Sequence, residues 1–233
     1  MPPIELSDVE VQKYQEEMKL LKYLAIIFDL DGVICHTDKY HYLAWKELAD
    51  ELGIYFDRDI NNRLRGVSRM ESFEIILENY DGTFTQEEKL SYTNKKNEIY
   101  KKLLENMSPN DLSEEVKETL DELRGRGLKL AIGSSSRNAK FILKQIGLEN
   151  FFDAISDGNN ISRSKPEPEV FIKASEFLNL EPKDCLVVED AEAGLEAAFA
   201  GGMDCAAIGD AVKCNCATYN LTSFSDLLKI CSC

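Results

Sequence analysis

Four short runs of this sequence carry residue types that could do acid–base or phosphoryl chemistry. They are Asp29 with Asp31, the run Gly133-Ser134-Ser135-Ser136, Lys165 followed by Pro166, and Glu189 with Asp190. Each run alone has an ordinary explanation, because carboxylates after a strand often cap helices and serines are common in turns. If the fold brings them to one place, they would supply up to four carboxylates, hydroxyl groups and one lysine.

Three or four carboxylates at one place repel each other unless cations separate them or some are protonated. Two unit charges about 4 Å apart interact by roughly 4 kcal/mol at an effective dielectric constant near 20. Hard carboxylate oxygens in an open site favour Mg²⁺, which keeps several waters and binds through a few carboxylates and a substrate phosphate. Lys165 and the Ser134 hydroxyl suit the oxygens of a phosphoryl group. A carboxylate in line with that group could act as nucleophile and form an aspartyl phosphate.

The elements that must position these residues are predicted from the hydrophobic pattern. Apolar runs without polar alternation predict strands that are covered on both faces. These runs are Leu24–Asp31, Leu128–Gly133, Ala154–Ser156, Cys185–Val188 and Asp204–Ile208. Helical patterns lie between them, at Ser113–Arg126, Asn138–Gly147, Pro168–Leu178 and Ala191–Gly201. The alternation predicts a doubly wound α/β domain, whose ligands bind at the carboxyl ends of the strands.

One segment interrupts this alternation. Between about Lys39 and Met107 the chain is a succession of helical patterns, at residues 41–53, 68–80 and 86–107. We interpret this block as an all-helical cap, residues 37–108, inserted into a core made of residues 23–36 and 109–233. Apolar residues at helical spacing before the first strand predict an amphipathic N-terminal extension over residues 1–22; they are Val11, Tyr14, Met18 and Leu21.

The composition excludes several classes of protein. The 233 residues include 27 Lys and Arg against 42 Asp and Glu, a net charge of −15, which argues against binding to nucleic acid or to an anionic membrane. A hydrophobic content of 44% is enough to fill a core, so the chain is not expected to be disordered. No apolar run reaches the roughly 18 residues that a membrane span needs. The first ten residues lack the features of a secretory signal, so a cytoplasmic protein is expected.

The seven cysteines are expected to be reduced thiols in such a compartment. Four of them form the pairs Cys214/Cys216 and Cys231/Cys233, whose spacing differs from the usual C-x₂-C of zinc sites. We interpret both pairs as surface thiols and keep a metal or redox role as the alternative.

The motifs together resemble those of a known family. Asp29-x-Asp31-Gly32-Val33, Ser134, Lys165-Pro166 and Glu189-Asp190 match, in order and spacing, the four motifs of the haloacid dehalogenase (HAD) superfamily of phosphotransferases. The resemblance runs from about Tyr23 to Leu228. Within that superfamily, the stretch FDLDGVICHTDKYHYLAWKELADELGI and the later RLRGVSRMES resemble the β-phosphoglucomutase family. The resemblance implies a Rossmann-like parallel-sheet core with an inserted helical cap.

The resemblance also implies roles for the core residues. Asp29 would be the nucleophile and Asp31 the general acid and base. One Mg²⁺ per subunit would be held by Asp29, the backbone carbonyl of Asp31 and Asp190, with Glu189 close by. Ser134 and Lys165 would hold the transferring phosphoryl group.

Further residues would bind the substrate and its distal phosphate. The resemblance places these at Thr37, His41, Gly66, Val67, Arg69, Lys96, Ser136, Arg137 and Asn138. A mutase must bind a sugar bisphosphate in two orientations, so it needs a second, non-transferring phosphate site. Arg69 follows a turn whose backbone N–H groups and guanidinium can grip a phosphate, and Arg137 can pair with the same group.

The expected activity is the interconversion of β-D-glucose 1-phosphate and D-glucose 6-phosphate through an aspartyl phosphate and β-glucose 1,6-bisphosphate. Priming would come from that bisphosphate or another phosphoryl donor, small-molecule sugar phosphates would be the only partners, and a monomer is expected. A HAD-type sugar-phosphate phosphatase is the first alternative, since it shares every core residue. A non-catalytic phospho-receiver domain is a more distant alternative, because receivers are usually far shorter and lack a helical cap.

Overall fold

The computed structural model of this chain describes residues 22–64 and 67–231. One sheet contains the strands β1 (Ala25–Phe28), β2 (Lys129–Gly133), β3 (Ala154–Ser156), β4 (Cys185–Glu189), β5 (Asp204–Ala207) and β6 (Tyr219–Asn220). The strands run parallel in the order β3-β2-β1-β4-β5-β6. Both β1 and β4 are buried along their whole length, as expected for strands covered by helices on both faces. The predicted doubly wound α/β core is confirmed.

The helices occupy the segments between these strands and one long insertion after β1. They are α1 (Asp38–Leu52), α2 (Arg58–Asn62), α3 (Arg69–Leu77), α4 (Gln86–Leu104), α5 (Glu114–Gly125), α6 (Ala139–Gln145), α7 (Glu169–Leu178), α8 (Glu192–Ala200) and α9 (Leu227–Ile230). Alternate residues of β1 face opposite layers: Ile26 and Phe28 join the core under α5 and α6, whereas Ala25 and Ile27 join the core under α7 and α8. The insertion α1–α4 forms the helical cap.

The cap has a hydrophobic cluster of its own. Trp45 and Leu48 of α1 pack there with Phe73 of α3, and the Trp45 and Phe73 rings stack with centroids 5.9 Å apart. Helices α1 and α4 pack along each other. This pairing carries His41 on α1 and Lys96 on α4 to the side of the cap that faces the sheet.

The order in which the chain adds strands reverses beside β1, whose neighbours are β2 on one side and β4 on the other. Such a switch point opens a crevice beyond the strand ends, where ligands bind in doubly wound folds. The predicted strand Leu24–Asp31 ends earlier, at Phe28, because the Leu30 carbonyl accepts from the N–H groups of Ile34 and Cys35 in a tight turn. Asp29 keeps one hydrogen bond to β4, from its N–H to the Val188 carbonyl at 2.9 Å, and Asp31 lies beyond the ladder, so that both residues lie at the crevice.

The prediction of reduced surface thiols is wrong for the first C-x-C pair. Cys214 and Cys216 form a disulfide, because Asn215 takes a left-handed conformation (φ 53°) that turns the chain back and brings the two Cα atoms to 5.2 Å. Cys231 is buried in the core instead of lying at the surface. Cys233 and the amphipathic pattern over residues 1–21 lie outside the described residues.

No helix within residues 22–64 and 67–231 is long and apolar enough to cross a bilayer.

Candidate active site

A cavity of about 400 Å³ lies between the carboxyl ends of the strands and the helical cap. It brings together most of the residues that the sequence singled out. Its lining includes Asp29, Asp31, His41, Val67, Arg69, Lys96, Ser134, Ser136, Arg137, Asn138, Lys165, Glu189 and Asp190. Thr37 does not line it, and Gly66 lies outside the described residues.

Lys165 is the centre of the charge cluster on the core side. Its ammonium group lies 2.5 Å from Oδ1 of Asp29 and 2.5 Å from Oε1 of Glu189, and its side chain is 1% exposed. Burial lowers the pKa of Lys165, but the carboxylates of Asp29 and Glu189 outweigh it, so the pKa is raised above its ordinary value. The lysine is therefore held charged, between the ends of β1 and β4.

Both carboxylate oxygens of Glu189 accept hydrogen bonds, which fix the position of the side chain. Oε1 accepts from Lys165, and Oε2 accepts from the backbone N–H of Ala191 at 2.9 Å. A Cβ atom at Gly194, in the first turn of α8, would lie 1.9 Å from Oε1, so only glycine leaves room for this carboxylate. With both oxygens used, Glu189 is better placed to orient Lys165 than to bind a cation.

Asp29 lies in a surplus of negative charge. Burial raises its pKa well above the ordinary value; Lys165 lowers it, and Glu189 and Asp190 raise it further. Lys165 alone does not balance the carboxylates, so the site as built favours one more positive charge beside Asp29.

Asp190 approaches the turn after β1 closely. Gly32 has φ +96°, a conformation that disfavours any side chain, and a Cβ atom there would lie 2.1 Å from Oδ2 of Asp190. The absence of a side chain at Gly32 thus lets a carboxylate from the end of β4 reach the turn that holds Asp29 and Asp31.

The carboxylates of Asp29 and Asp190 suit a hard cation that takes only a few of its ligands from side chains. Within the described residues, no group of three or more His, Cys, Asp and Glu side chains is arranged to hold a metal ion. A cation would therefore need main-chain carbonyl, water or phosphate oxygens beside the carboxylates of Asp29 and Asp190. Mg²⁺ is usually bound in this way, through one or two carboxylates and the substrate phosphate.

Asp31 is held by the first residues of the cap connection. Its Oδ1 accepts a hydrogen bond from the hydroxyl of Thr37, which is buried. Burial raises the pKa of Asp31 to about 6, although the Thr37 hydrogen bond opposes the shift. A carboxyl group with a pKa near neutrality can both give and take a proton, which is the requirement for acid–base catalysis.

The hydroxyl-rich run after β2 is ordered by its own backbone. The Ser134 hydroxyl accepts from the N–H of Ser136 at 3.1 Å, and the Ser136 hydroxyl accepts from the N–H of Asn138 at 3.2 Å. The Asn138 amide in turn donates to Oδ1 of Asn97, on cap helix α4, at 2.9 Å. This run therefore lines the cavity and also connects the core to the cap.

On the cap side, a lysine and a histidine are buried together. Nζ of Lys96 lies 3.0 Å from Nδ1 of His41, and it sits over the rings of Trp45 and Tyr100 at 4.8 and 4.6 Å. Burial and the charge of Arg69 lower the pKa of Lys96 well below its ordinary value. Burial and the charges of Lys96 and Arg69 likewise lower the pKa of His41, so this imidazole is neutral.

Two guanidinium groups line the cavity, Arg69 from cap helix α3 and Arg137 from the loop after β2. Burial lowers the pKa of Arg69, and the charge of Arg137 lowers it further, whereas the carboxylate of Glu98 opposes the shift. Among the residues that the structure describes, no carboxylate forms an ion pair with Arg69. Two neighbouring guanidinium groups can together bind an anion such as a phosphate.

Sequence reasoning missed several cavity residues, notably Asn97 and Tyr100 of α4. Tyr100 is buried and its ring lies 4.1 Å from the His41 ring. Its position four residues after Lys96 puts it on the same face of the helix, a spacing that would have found it. Asn97 is adjacent to Lys96 and carries no comparable signal.

Comparison with known proteins agrees with the motifs. A family model described as haloacid dehalogenase-like hydrolase matches residues 26–208. The chain is 41% identical to β-phosphoglucomutase of Bacillus subtilis, over 79% of this chain and 83% of that protein. It is 30% identical to a phosphorylated carbohydrates phosphatase of Thermotoga maritima, over 77% and 82% of the two chains.

A solved structure gives the same result for the fold. The crystal structure of β-phosphoglucomutase from Clostridium difficile superposes with a TM-score of 0.83 at 36% identity, over 88% of this chain and 93% of that one. The expected resemblance is thereby confirmed, and both phosphomutases and phosphatases are found among the relatives.

Proposed function

Because this chain belongs to the haloacid dehalogenase-like hydrolase family, we propose that it is a phosphomutase that interconverts β-D-glucose 1-phosphate and D-glucose 6-phosphate. Its similarity to two β-phosphoglucomutases supports this choice of substrate. The observation that carries the proposal is one cavity that holds both a nucleophile paired with Lys165 and two further cations, Arg69 of the cap and Arg137 of the core. A bisphosphate needs cations for a second phosphate beside those that hold the transferring group.

In this proposal Asp29 carries the phosphoryl group. The phosphorylated Asp29 donates it to the C6 hydroxyl of β-D-glucose 1-phosphate, and Asp31 takes the proton of that hydroxyl. The resulting β-glucose 1,6-bisphosphate rebinds in the opposite orientation, and an oxygen of Asp29 attacks the phosphorus at C1. Asp31 returns its proton to the C1 oxygen, which releases glucose 6-phosphate. The first phosphoryl group comes from the bisphosphate or another donor.

Lys165 and Ser134 hold the transferring phosphoryl group. The ammonium group and the hydroxyl can contact its oxygens on the side where negative charge develops. Glu189 keeps Lys165 in position, and Thr37 orients Asp31 rather than contacting the sugar. This reassigns Thr37 from the substrate-binding role that the sequence suggested.

One Mg²⁺ per chain fits the proposed site. Asp29, the backbone carbonyl of Asp31 and Asp190 would hold it, and it would neutralise charge on the phosphoryl oxygens and the nucleophile. The surplus of carboxylates around Asp29 is the reason to expect this ion. Glu189 remains close by, with its oxygens engaged by Lys165 and Ala191.

The cap, residues 37–108, supplies the substrate-binding half. Arg69 and Val67 of the cap hold the distal phosphate together with Ser136, Arg137 and Asn138 of the core, and His41 and Lys96 of the cap face the sugar. Enclosure by the cap excludes water, which would otherwise hydrolyse the aspartyl phosphate. All these residues belong to one chain, so a monomer would contain the complete proposed site.

The decisive experiment supplies Mg²⁺, β-D-glucose 1-phosphate and a trace of β-glucose 1,6-bisphosphate, and follows glucose 6-phosphate and free phosphate in parallel. A mutase produces glucose 6-phosphate with little free phosphate. If free phosphate is the main product, the protein is a sugar-phosphate phosphatase, the activity named for the relative from Thermotoga maritima. If neither product forms although Asp29 becomes phosphorylated, the enzymatic proposal fails and a non-catalytic phospho-receiver role remains. If Asp29 is not phosphorylated either, both roles are contradicted.

A further inference from the structure

The Cys214–Cys216 disulfide is the sulfur pair that solvent can reach in the described part of the chain. Cys216 is exposed and Cys214 is half-buried. The free thiols of Cys35, Cys185, Cys205 and Cys231 are all buried. Thiol–disulfide exchange depends on access of the attacking thiolate to a sulfur atom, so among the described cysteines this pair is the one open to exchange in the folded protein.

The disulfide closes the end of a segment that packs on the proposed metal-binding run. The 3₁₀ segment Gly209–Cys214 begins beside Asp190: a Cβ atom at Gly209 would lie 3.9 Å from the Asp190 Cβ. The preceding residue, Ile208, donates its N–H to the Glu189 carbonyl at 2.9 Å. At the other end of the segment, Sγ of Cys214 lies 3.8 Å from Oε1 of Glu192.

The two ends of this short segment thus lie beside residues 189–192, the run that contains Asp190. The middle of the segment is anchored by Ala211, which is buried against the core under α8. Opening the disulfide would release the closed turn Cys214–Cys216 that ends the segment. Because the hydrogen-bond geometry of a 3₁₀ segment is poor, this closed turn helps to fix the last residues of the segment.

We propose that Cys214 and Cys216 are a thiol–disulfide exchange site whose oxidation state controls how firmly the segment Gly209–Cys214 supports Asp190. The reactant is a dithiol, either a small molecule or a protein. Its first thiolate attacks Sγ of Cys216 and displaces the Cys214 thiolate, which leaves a mixed disulfide. Its second thiolate attacks the sulfur of the first, releases the Cys216 thiolate and leaves the reactant as a disulfide. Two electrons pass to the pair, which takes up two protons at neutral pH, and the reverse exchange restores the bond.

The test compares oxidised and dithiothreitol-reduced protein without substrate. Alkylation followed by mass analysis should add no group at Cys214 and Cys216 in the oxidised protein and one group at each after reduction. Hydrogen exchange of the backbone amides in Gly209–Cys214 should become several-fold faster on reduction, and the Kd for Mg²⁺, measured by calorimetry, should rise several-fold. The measurement of the Mg²⁺ Kd rests on the proposed function, whereas the measurement of amide hydrogen exchange does not.

Two variants serve as controls. The double variant Cys214→Ser/Cys216→Ser should behave like the reduced protein and should not respond to dithiothreitol. Lys213→Ala alters an exposed residue of the same segment, and it should keep the full response of the wild-type chain. The proposal is overturned if the pair is alkylated without reductant, or if amide exchange in the segment is the same in both redox states. If amide hydrogen exchange changes on reduction but no Mg²⁺ binding is measurable in either redox state, the result supports the thiol–disulfide exchange site and contradicts the proposed metal site.

Discussion

At the scale of single residues, Asp29 and Lys165 depend on each other because both are buried and neither charge has solvent to stabilise it. We predict that Asp29→Asn abolishes turnover, since an amide oxygen is too weak a nucleophile to attack phosphorus. The pair of Lys165 with Glu189 persists in the variant, so the fold should survive. Incubation with the bisphosphate followed by mass analysis should find the phosphoryl group on the wild-type chain and none on the variant. A phosphorylated variant would mean that Asp29 is not the nucleophile.

Arg69 is expected to serve only the distal phosphate. Arg69→Ala should therefore lower mutase turnover far more than hydrolysis of a small phosphate ester, which has no distal phosphate to lose. Arg63→Ala is a suitable control, because Arg63 ends the neighbouring helix and pairs with Glu78 outside the cavity. The ratio of the two activities should fall in the Arg69 variant and stay constant in the control. Equal losses of both activities in Arg69→Ala would refute the distal-phosphate role.

The histidine of the cap gives a prediction about pH. Burial, Lys96 and Arg69 all lower the pKa of His41, so this imidazole should stay neutral as the pH falls through the ordinary histidine value of about 6.5. Lys96→Met removes one of the two charges, so the pKa of His41 should rise, yet stay below the ordinary value because burial persists. Nitrogen chemical shifts of His41 across a pH titration measure both values. Identical titrations in the two proteins would show that Lys96 does not act on His41.

At the scale of elements, one hydrogen bond connects cap helix α4 to the loop that begins core helix α6. Asn97 accepts from Asn138 at 2.9 Å, so Asn97→Ala should loosen closure of the cap over the cavity. Water would then reach the aspartyl phosphate more often, and the ratio of free phosphate to glucose 6-phosphate should rise several-fold. Asn106→Ala, beyond the end of α4 and bonded only to Leu103 among the described residues, should leave the ratio unchanged. An unchanged ratio in Asn97→Ala would mean that this contact does not hold the cap closed.

The length and the hydrophobic pattern of each element explain which elements could be predicted from the sequence. The buried strands β1 and β4 are continuous apolar runs, and the long helices show apolar spacing over several turns, so pattern alone finds them. The helix α2 has five residues and the edge strand β6 has two, which is too short for any period to emerge. The turn that carries Asp31 past the end of β1 is not predicted, because it depends on hydrogen bonds to the Leu30 carbonyl and not on residue hydrophobicity.

For the candidate site, sequence reasoning identified the residues of the strand ends and left out those whose position depends on helix packing. Asp29 and Asp190 directly follow β1 and β4, so parallel order alone brings them to one edge, and Lys165 reaches the same edge from the loop between β3 and α7. Asn97 reaches the cavity only because α4 packs along α1 and turns one face to the sheet. No local pattern encodes that rotation.

At the scale of the whole molecule, net charge says little about the site. The chain carries −15, yet its central cavity is lined by Lys96, Arg69, Arg137 and Lys165. The same cavity is also lined by the carboxylates of Asp29, Asp31, Asp38, Glu189 and Asp190. Binding of a sugar phosphate therefore depends on where the individual cations lie, and on a further cation that balances the carboxylates, rather than on the net charge of the chain.

The division of the molecule into core and cap predicts two unfolding units. The single tryptophan, Trp45, lies in the cap cluster, so its fluorescence follows the cap, whereas far-UV circular dichroism follows the whole chain. Phe73→Ala removes the ring that stacks on Trp45, a change expected to cost about 3–5 kcal/mol of the free energy of unfolding. The fluorescence transition of the variant should then move to a lower urea concentration, while part of the circular dichroism transition stays at the wild-type midpoint.

Phe171→Ala makes the matching change in the core, where Phe171 is fully buried, and it should lower the midpoint of the larger circular dichroism transition. If both signals of Phe73→Ala move together as one transition, residues 37–108 are not a separate unit, and the cap is stabilised mainly by its contacts with the sheet.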